Sequence, residues 1–235
     1  MTPAGVLTTL YTFNTTDGSN PFAGLLLGTD GNFYGTTYGG GANGKGTIFQ
    51  VTPAGTLTTL HSFTGADGSE PWSGQLVQAT DGNFYGTTFD GGAHGSGTIF
   101  EFTPGGVLTV LHSFSGPDGS NPQGGLVQGT DGNLYGATTG GGASFGGAVF
   151  SLSMGLGPFV KTLPASGKVG SAVRILGTNL SGATGVGFNG TAAAFTVLSP
   201  TEISTNVPAG ATTGSVRVIA PGGDLSSNVL FRVTR

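Results

Sequence analysis

The sequence predicts an all-β protein: three four-stranded, propeller-type repeat units followed by an immunoglobulin-like β-sandwich. Three observations lead there. The string TDGNFYGTT at 29–37 returns as TDGNFYGTT at 80–88 and as TDGNLYGAT at 130–138. Short runs rich in Thr, aromatic and branched aliphatic residues are bounded by Gly, Pro, Asn or Asp, and no stretch shows a helical period. After residue 155 the repeat stops and a different rhythm of short apolar runs begins.

The repeat is measured from its anchors. Asp30, Asp81 and Asp131 are 51 and 50 residues apart, as are Phe49, Phe100 and Phe150. The units are expected at 1–52, 53–103 and 104–155. In the first, strands are expected at VLTTLYTF (6–13), AGLLLG (23–28), NFYGTT (32–37) and GTIFQVT (46–52). Asp-Gly between the second and third is a strong hairpin signal. DGSNP and DGSEP end in a proline that cannot donate to a ladder, and the glycines of YGGGANGKG permit positive φ.

Four strands per unit of this size match one propeller blade. Blades stack face to face, which accounts for runs such as Leu25–Leu26–Leu27 that do not alternate with polar residues. Within each TDGN(F/L)YG string the aromatic pair should face both ways. Tyr34, Tyr85 and Tyr135 should be half-buried with one hydroxyl partner each, and Gly35 should admit a neighbouring unit. Three blades are too few for a ring, since propellers use about 4–8. Two alternatives follow: a six-bladed ring shared by two chains, or a β-trefoil or β-prism that closes with three units. TPAG at 2–5 matches TPAG at 52–55 and TPGG at 103–106, where it follows a fourth strand. The chain therefore reads as a piece of a longer array, or as an array whose first unit needs a neighbour.

Residues 158–235 form a second domain, with SAVRIL, AAFTVL, GSVRVIA and NVLFRV as strand-length runs. About seven such strands suit a small sandwich. Two family resemblances enter on these residues. The ordered motifs LHSF, DGSNP, GGLVQGTDGNLYGATTGGGA and GGAVF, met three times in 1–155, resemble the bacterial tandem repeat called GloVer. That resemblance implies an exported protein from arrays of more than three repeats, and implies no enzymatic activity. The order Pro-x-x-Gly, VRILGTNL, GFNG, ISTNVP and GSVRV in 158–235 resembles the IPT/TIG family. Its DNA-binding members use basic loops; here the cations are few and several lie inside strands.

Composition narrows the function. Charged residues are 8% of the chain, against about 25% in ordinary domains. Hydrophobic residues are 36%, so the 48 glycines do not signal disorder. Seven Lys and Arg with a net charge of −4 leave no basic patch for a phosphate backbone, so nucleic acid is not an expected partner. There is no cysteine, hence no disulfide or thiolate metal site. No apolar run reaches membrane-spanning length. The first residues show no signal peptide, and an extracellular or cell-surface location rests on the resemblance alone.

The repeated acids Asp17, Asp67, Asp118, Asp30, Asp81 and Asp131 each precede glycine and read as turn formers rather than calcium ligands. Glu70, Asp90 and Glu101 are peculiar to the second unit and are too few to choose a glycosidase pair. His61 and His112 stand where the first unit has Tyr11, which marks a packed polar position. No catalytic residue, metal ligand or cofactor site is expected. The candidate ligand-binding residues are Tyr38, Trp72, Phe89, Asp90 and His94, because aromatic faces stack on sugar rings and neighbouring polar groups orient them. The expected function is a non-catalytic surface module that self-associates through its repeats, with glycan affinity. The alternative is a polysaccharide-acting enzyme whose site is built from loops of several repeats.

Overall fold

The structure, a computed structural model, describes residues 5–235, and every regular element among them is a β-strand. The chain divides into two compact units. One holds the residues up to Val127 together with Tyr135–Ser151; the other holds Gln128–Leu134 and Leu152–Arg235.

The first unit is built from repeated sheets. Strands β1 (Leu26–Leu27), β2 (Phe33–Thr37), β3 (Thr47–Val51) and β4 (Leu57–Ser62) pair antiparallel in chain order. Strands β5 (Val77–Gln78), β6 (Phe84–Thr88), β7 (Thr98–Phe102) and β8 (Leu108–Ser113) repeat that order. The third sheet has three strands: β9 (Val127–Gln128), β10 (Leu134–Ala137) and β11 (Val149–Leu152).

Two expectations are corrected here. The expected units are one strand out of phase. Residues 6–13 form no strand, while their counterparts 57–62 and 108–113 close the preceding sheet as β4 and β8. The cause is the TPAG turn, where Gly55 N–H donates to Thr52 O at 2.9 Å and Thr52 N–H to Thr56 O at 3.0 Å. This hairpin folds each such strand back onto the sheet before it, not forward onto its own repeat.

The propeller-type architecture also fails, and with it the closed trefoil and prism. Each sheet is open, with two edges, and among the described residues pairing stays within sheets and closes no ring or barrel. Three units lack the number that closes a radial array.

Packing explains the sequence of the central strands. β6 is buried at all five positions, and β3 and β7 at four of five, because sheet lies on sheet. Tyr34, Ile48, Phe63, Leu76, Phe84, Phe100 and Phe102 form one cluster across the first two sheets. Tyr34 meets Phe84 at a centroid distance of 4.2 Å and Phe63 meets Phe100 at 5.4 Å. Gly35 serves its own sheet rather than a neighbouring unit. It pairs with Phe49 across the strands, and a Cβ there would stand 2.6 Å from the Phe49 ring. Gly86 repeats this against Phe100. Buried threonines add a polar rung: Thr37 and Thr47 hydroxyls lie 2.8 Å apart, as do those of Thr88 and Thr98.

The second unit has a different logic. β12 (Lys161–Leu163), β14 (Ala172–Leu176), β18 (Glu202–Asn206) and β17 (Phe195–Ser199) form one sheet. β16 (Thr191–Ala192), β15 (Gly185–Phe188), β19 (Val216–Ala220) and β20 (Gly223–Ser226) form another. β13 (Ser166–Lys168) pairs parallel with β21 (Arg232–Thr234). Val173, Ile175, Ile203, Val186, Phe188, Val216, Val218 and Leu225 meet in one core drawn from both larger sheets. Their strands alternate buried and exposed residues, as one-face burial requires. No helix among the described residues is long and apolar enough to cross a membrane.

Candidate functional site

Three of the expected ligand-binding residues come together. Trp72 packs edge-on against Tyr38 at 4.9 Å and tilted against Phe89 at 5.3 Å. Phe22 joins them, 6.0 Å from Trp72 and 5.7 Å from Tyr38. Tyr38 and Phe89 follow directly on β2 and β6, and Phe22 and Trp72 follow Pro21 and Pro71. Isolated bridges from Ser19 to Gly39 and from Ser69 to Asp90 hold each pair of segments side by side. Phe22 is 54% exposed, and Tyr38, Trp72 and Phe89 are half-buried, so ring faces reach the surface. The third repeat has Gln123 and Thr139 at the matching positions, which confines the cluster to the first two repeats.

Carboxylates line this cluster. Tyr38 donates its hydroxyl to Glu70 Oε2 at 2.8 Å, and that bond, followed by desolvation, holds the phenol above its ordinary pKa. Asp90 accepts from Asn121 Nδ2 at 2.9 Å. Desolvation raises the Asp90 pKa, and the Glu70 charge raises it further, while Asn121 and Lys45 oppose. The Glu70 charge thus reaches Asp90. Glu101 lies apart on β7, where Asn83 Nδ2 donates to it at 2.5 Å. His94 is exposed on the glycine-rich loop at 91–97 and enters none of the cluster's ring pairs or hydrogen bonds.

Glu70 was legible only as an isolated acid. It occupies the position of Asn20 and Asn121, and all three adopt left-handed backbone, with φ of 58°, 57° and 55° in chain order. Asn tolerates that region better than Glu. A glutamate held there bears a backbone cost that the asparagines largely avoid, a feature that concentrates at functional positions. Aligning DGSNP with DGSEP was the signal that could have found it. Phe22 was detectable in the same alignment.

The repeated acids make turns. Asp30 accepts from Asn32 N–H at 3.1 Å, Asn32 Nδ2 at 2.8 Å and Tyr34 hydroxyl at 2.9 Å. Asp81 does the same with Asn83 and Tyr85, and burial followed by Asp81 pushes the Tyr85 phenol well up. Asp67 and Asp118 accept from His61 Nε2 at 2.9 Å and His112 Nε2 at 2.7 Å, in the place where Tyr11 donates to Asp17. Desolvation opposes ionisation of Asp118, but the Ser115 N–H, the Ser115 hydroxyl and His112 outweigh it and lower its pKa to about 2. Among the described residues no group of three His, Cys, Asp or Glu could hold a metal ion.

A family model described as the Gloeobacter/Verrucomicrobia repeat matches residues 1–202. A comparison with curated proteins finds no match. Among solved structures, a fungal alcohol oxidase of the AA5 family in complex with copper aligns at 15% identity and a TM-score of 0.36. That alignment covers 85% of this chain and 51% of the oxidase, so the chain spans about half the oxidase's length. A candidate gluconolactonase aligns at 15% identity and a TM-score of 0.38, over 90% of this chain and 76% of its own. At such scores neither likeness bears on chemistry.

Proposed function

The chain belongs to the Gloeobacter/Verrucomicrobia repeat family, and from that premise we propose an exported, non-catalytic cell-surface module that self-associates through its β-repeats and has glycan affinity. The carrying observation is the ring series Phe22, Tyr38, Trp72 and Phe89, continuous across two repeats and open to solvent. Aromatic faces give a pyranose ring apolar contact, and Glu70, Asp90 and Asn121 supply acceptors and donors for its hydroxyls. The resemblance of 158–235 to IPT/TIG modules suits a spacer that holds the repeats away from an attachment point. Affinity electrophoresis of the whole chain in gels containing soluble polysaccharides tests this. Retardation by at least one polysaccharide, lost in Trp72→Ala, is the expected result; no retardation by any of them ends the glycan reading.

A second reading, a polysaccharide-acting enzyme, rests on the two carboxylates Glu70 and Asp90 beside those rings. General acid work needs a carboxyl with a raised pKa near an ionised one, and Asp90 has the raised pKa. Reducing-sugar release from the retained polysaccharide, abolished by Asp90→Asn, would favour this reading over binding alone.

A further inference from the structure

The two ends of the repeat stack expose matching surfaces. On the front, Leu25 is 48% exposed, whereas Leu76 and Leu126 at the same repeat position are 4% and 6% exposed. On the rear, Val149 is 86% exposed, whereas Ile48 and Ile99 at its position are 0% and 2% exposed. Each position is covered wherever another sheet follows or precedes it.

The backbone shows the same complementarity. β3 and β7 each carry a fourth strand, β4 or β8, on their outer edge. β11 is their counterpart, and among the described residues no strand pairs with its outer edge. Residues 6–13, VLTTLYTF, match TLTTLHSF at 56–63 and VLTVLHSF at 107–114, which contain β4 and β8. This segment is held over its second half, where the Leu10 carbonyl lies close to Gly55. Phe13 packs on Phe49 at 5.0 Å, just as Phe63 packs on Phe100. Towards its start, Val6 and Leu7 are 88% and 96% exposed.

We propose that residues 6–13 of one copy add as the fourth strand to β11 of a second copy, joining chains head to tail. The inference rests on the self-association reading above and names its interface. The register follows from β3–β4 and β7–β8, including the bulge that both show: Val149 opposite Tyr11, Phe150 opposite Thr9, Ser151 opposite Thr8, and Leu152 opposite Leu7. The side chains agree. Ile48 sits in a cluster with Phe63, Leu76 and Phe100, whose counterparts at the front are Phe13, Leu25 and Phe49. Those three line an open apolar groove of about 360 Å³, which receives Val149 of the neighbouring copy. Main-chain bonds supply affinity in such strand addition, and the alternate side chains set register. The two surfaces differ, so the contact is heterologous and propagates beyond two copies or closes in a larger assembly.

The chain has no cysteine, which makes cross-linking a clean test on the full chain. Thr8→Cys and Ser151→Cys, prepared separately, mixed and oxidised, should give a cross-linked product of twice the chain mass. Thr8→Cys mixed with Val127→Cys, on the opposite edge of the third sheet, should not. Sedimentation should show concentration-dependent assembly of the native chain, weakened at least about tenfold by Val149→Lys, which removes apolar burial and places a charge on the pairing edge. Val149 is exposed in the single chain, so this change leaves its fold intact. A native chain that stays monomeric up to its solubility limit overturns both the inference and the self-association reading. Assembly that persists in Val149→Lys without the Thr8–Ser151 cross-link overturns the inference alone. So does a Thr8→Cys/Ser151→Cys double variant that cross-links only within one chain.

Discussion

The repeat unit and the second unit bury their strands in opposite ways. β6 is buried at every position, while β14 and β19 alternate. The cluster across the first two repeat sheets is mostly aromatic, and the second unit's core is mostly Val, Ile and Leu around Phe188 and Phe231. A sheet covered on both faces needs a neighbour on each side, so its stability is shared along the stack. Two sheets that share one core satisfy each other and turn polar residues outward. The repeats therefore leave apolar surface at both ends of the stack.

The comparison is tested most severely at Phe100, fully buried and contacted from the neighbouring sheet by Phe63. Phe100→Ala should cost about 3–5 kcal/mol. Trp72, the sole tryptophan, lies in the repeats and reports their unfolding in urea through its emission. A loss below about 1 kcal/mol would mean that the sheets do not support one another.

A smaller effect is expected at the threonine rung. Thr98→Val removes a hydroxyl that bonds Thr88 at 2.8 Å and should cost about 1 kcal/mol. Ala148 stands at this position in the third sheet, where Ala148 N–H still bonds Thr138 Oγ1 at 2.9 Å. Thr98→Ala should therefore fold to the same sheet, with hydrogen exchange at Thr88 and residue 98 faster than in the native chain.

The smallest effect concerns Asp90. Burial, then Glu70, raises its pKa in the folded chain. Its contribution favours folding fully below the unfolded pKa and is lost as pH rises through the higher folded value. Asp90→Asn should leave stability unchanged near pH 3 and raise it by about 0.5 kcal/mol at neutral pH, a modest gain because solvent screens the site. Urea melts at the two pH values check this, and equal differences at both would show that folding does not raise the Asp90 pKa.

Much of this protein follows from local chemistry that a sequence displays. Asp-Gly turns, prolines and Thr-rich runs placed β2 and β3 within a residue of their observed bounds, because a turn's backbone demands depend on its own few residues. The tight pairing of Gly35 with Phe49 needed the cross-strand register, and its sequence reading pointed to the wrong neighbour. At the candidate site, Tyr38, Trp72 and Phe89 were recognisable as unusual aromatics, but their contact with Phe22, and Glu70 beside them, required two repeats to be brought side by side.

What the sequence alone determined is therefore the all-β character, the period and the turns, each set by interactions within a few residues. Tertiary structure decided which sheet receives each strand of the 57–62 type, that the sheets stay open, and which surfaces the stack leaves bare. Those outcomes depend on hydrogen bonds and apolar contacts between segments about fifty residues apart, and a repeat that looks the same in every copy cannot say which of its copies it will touch.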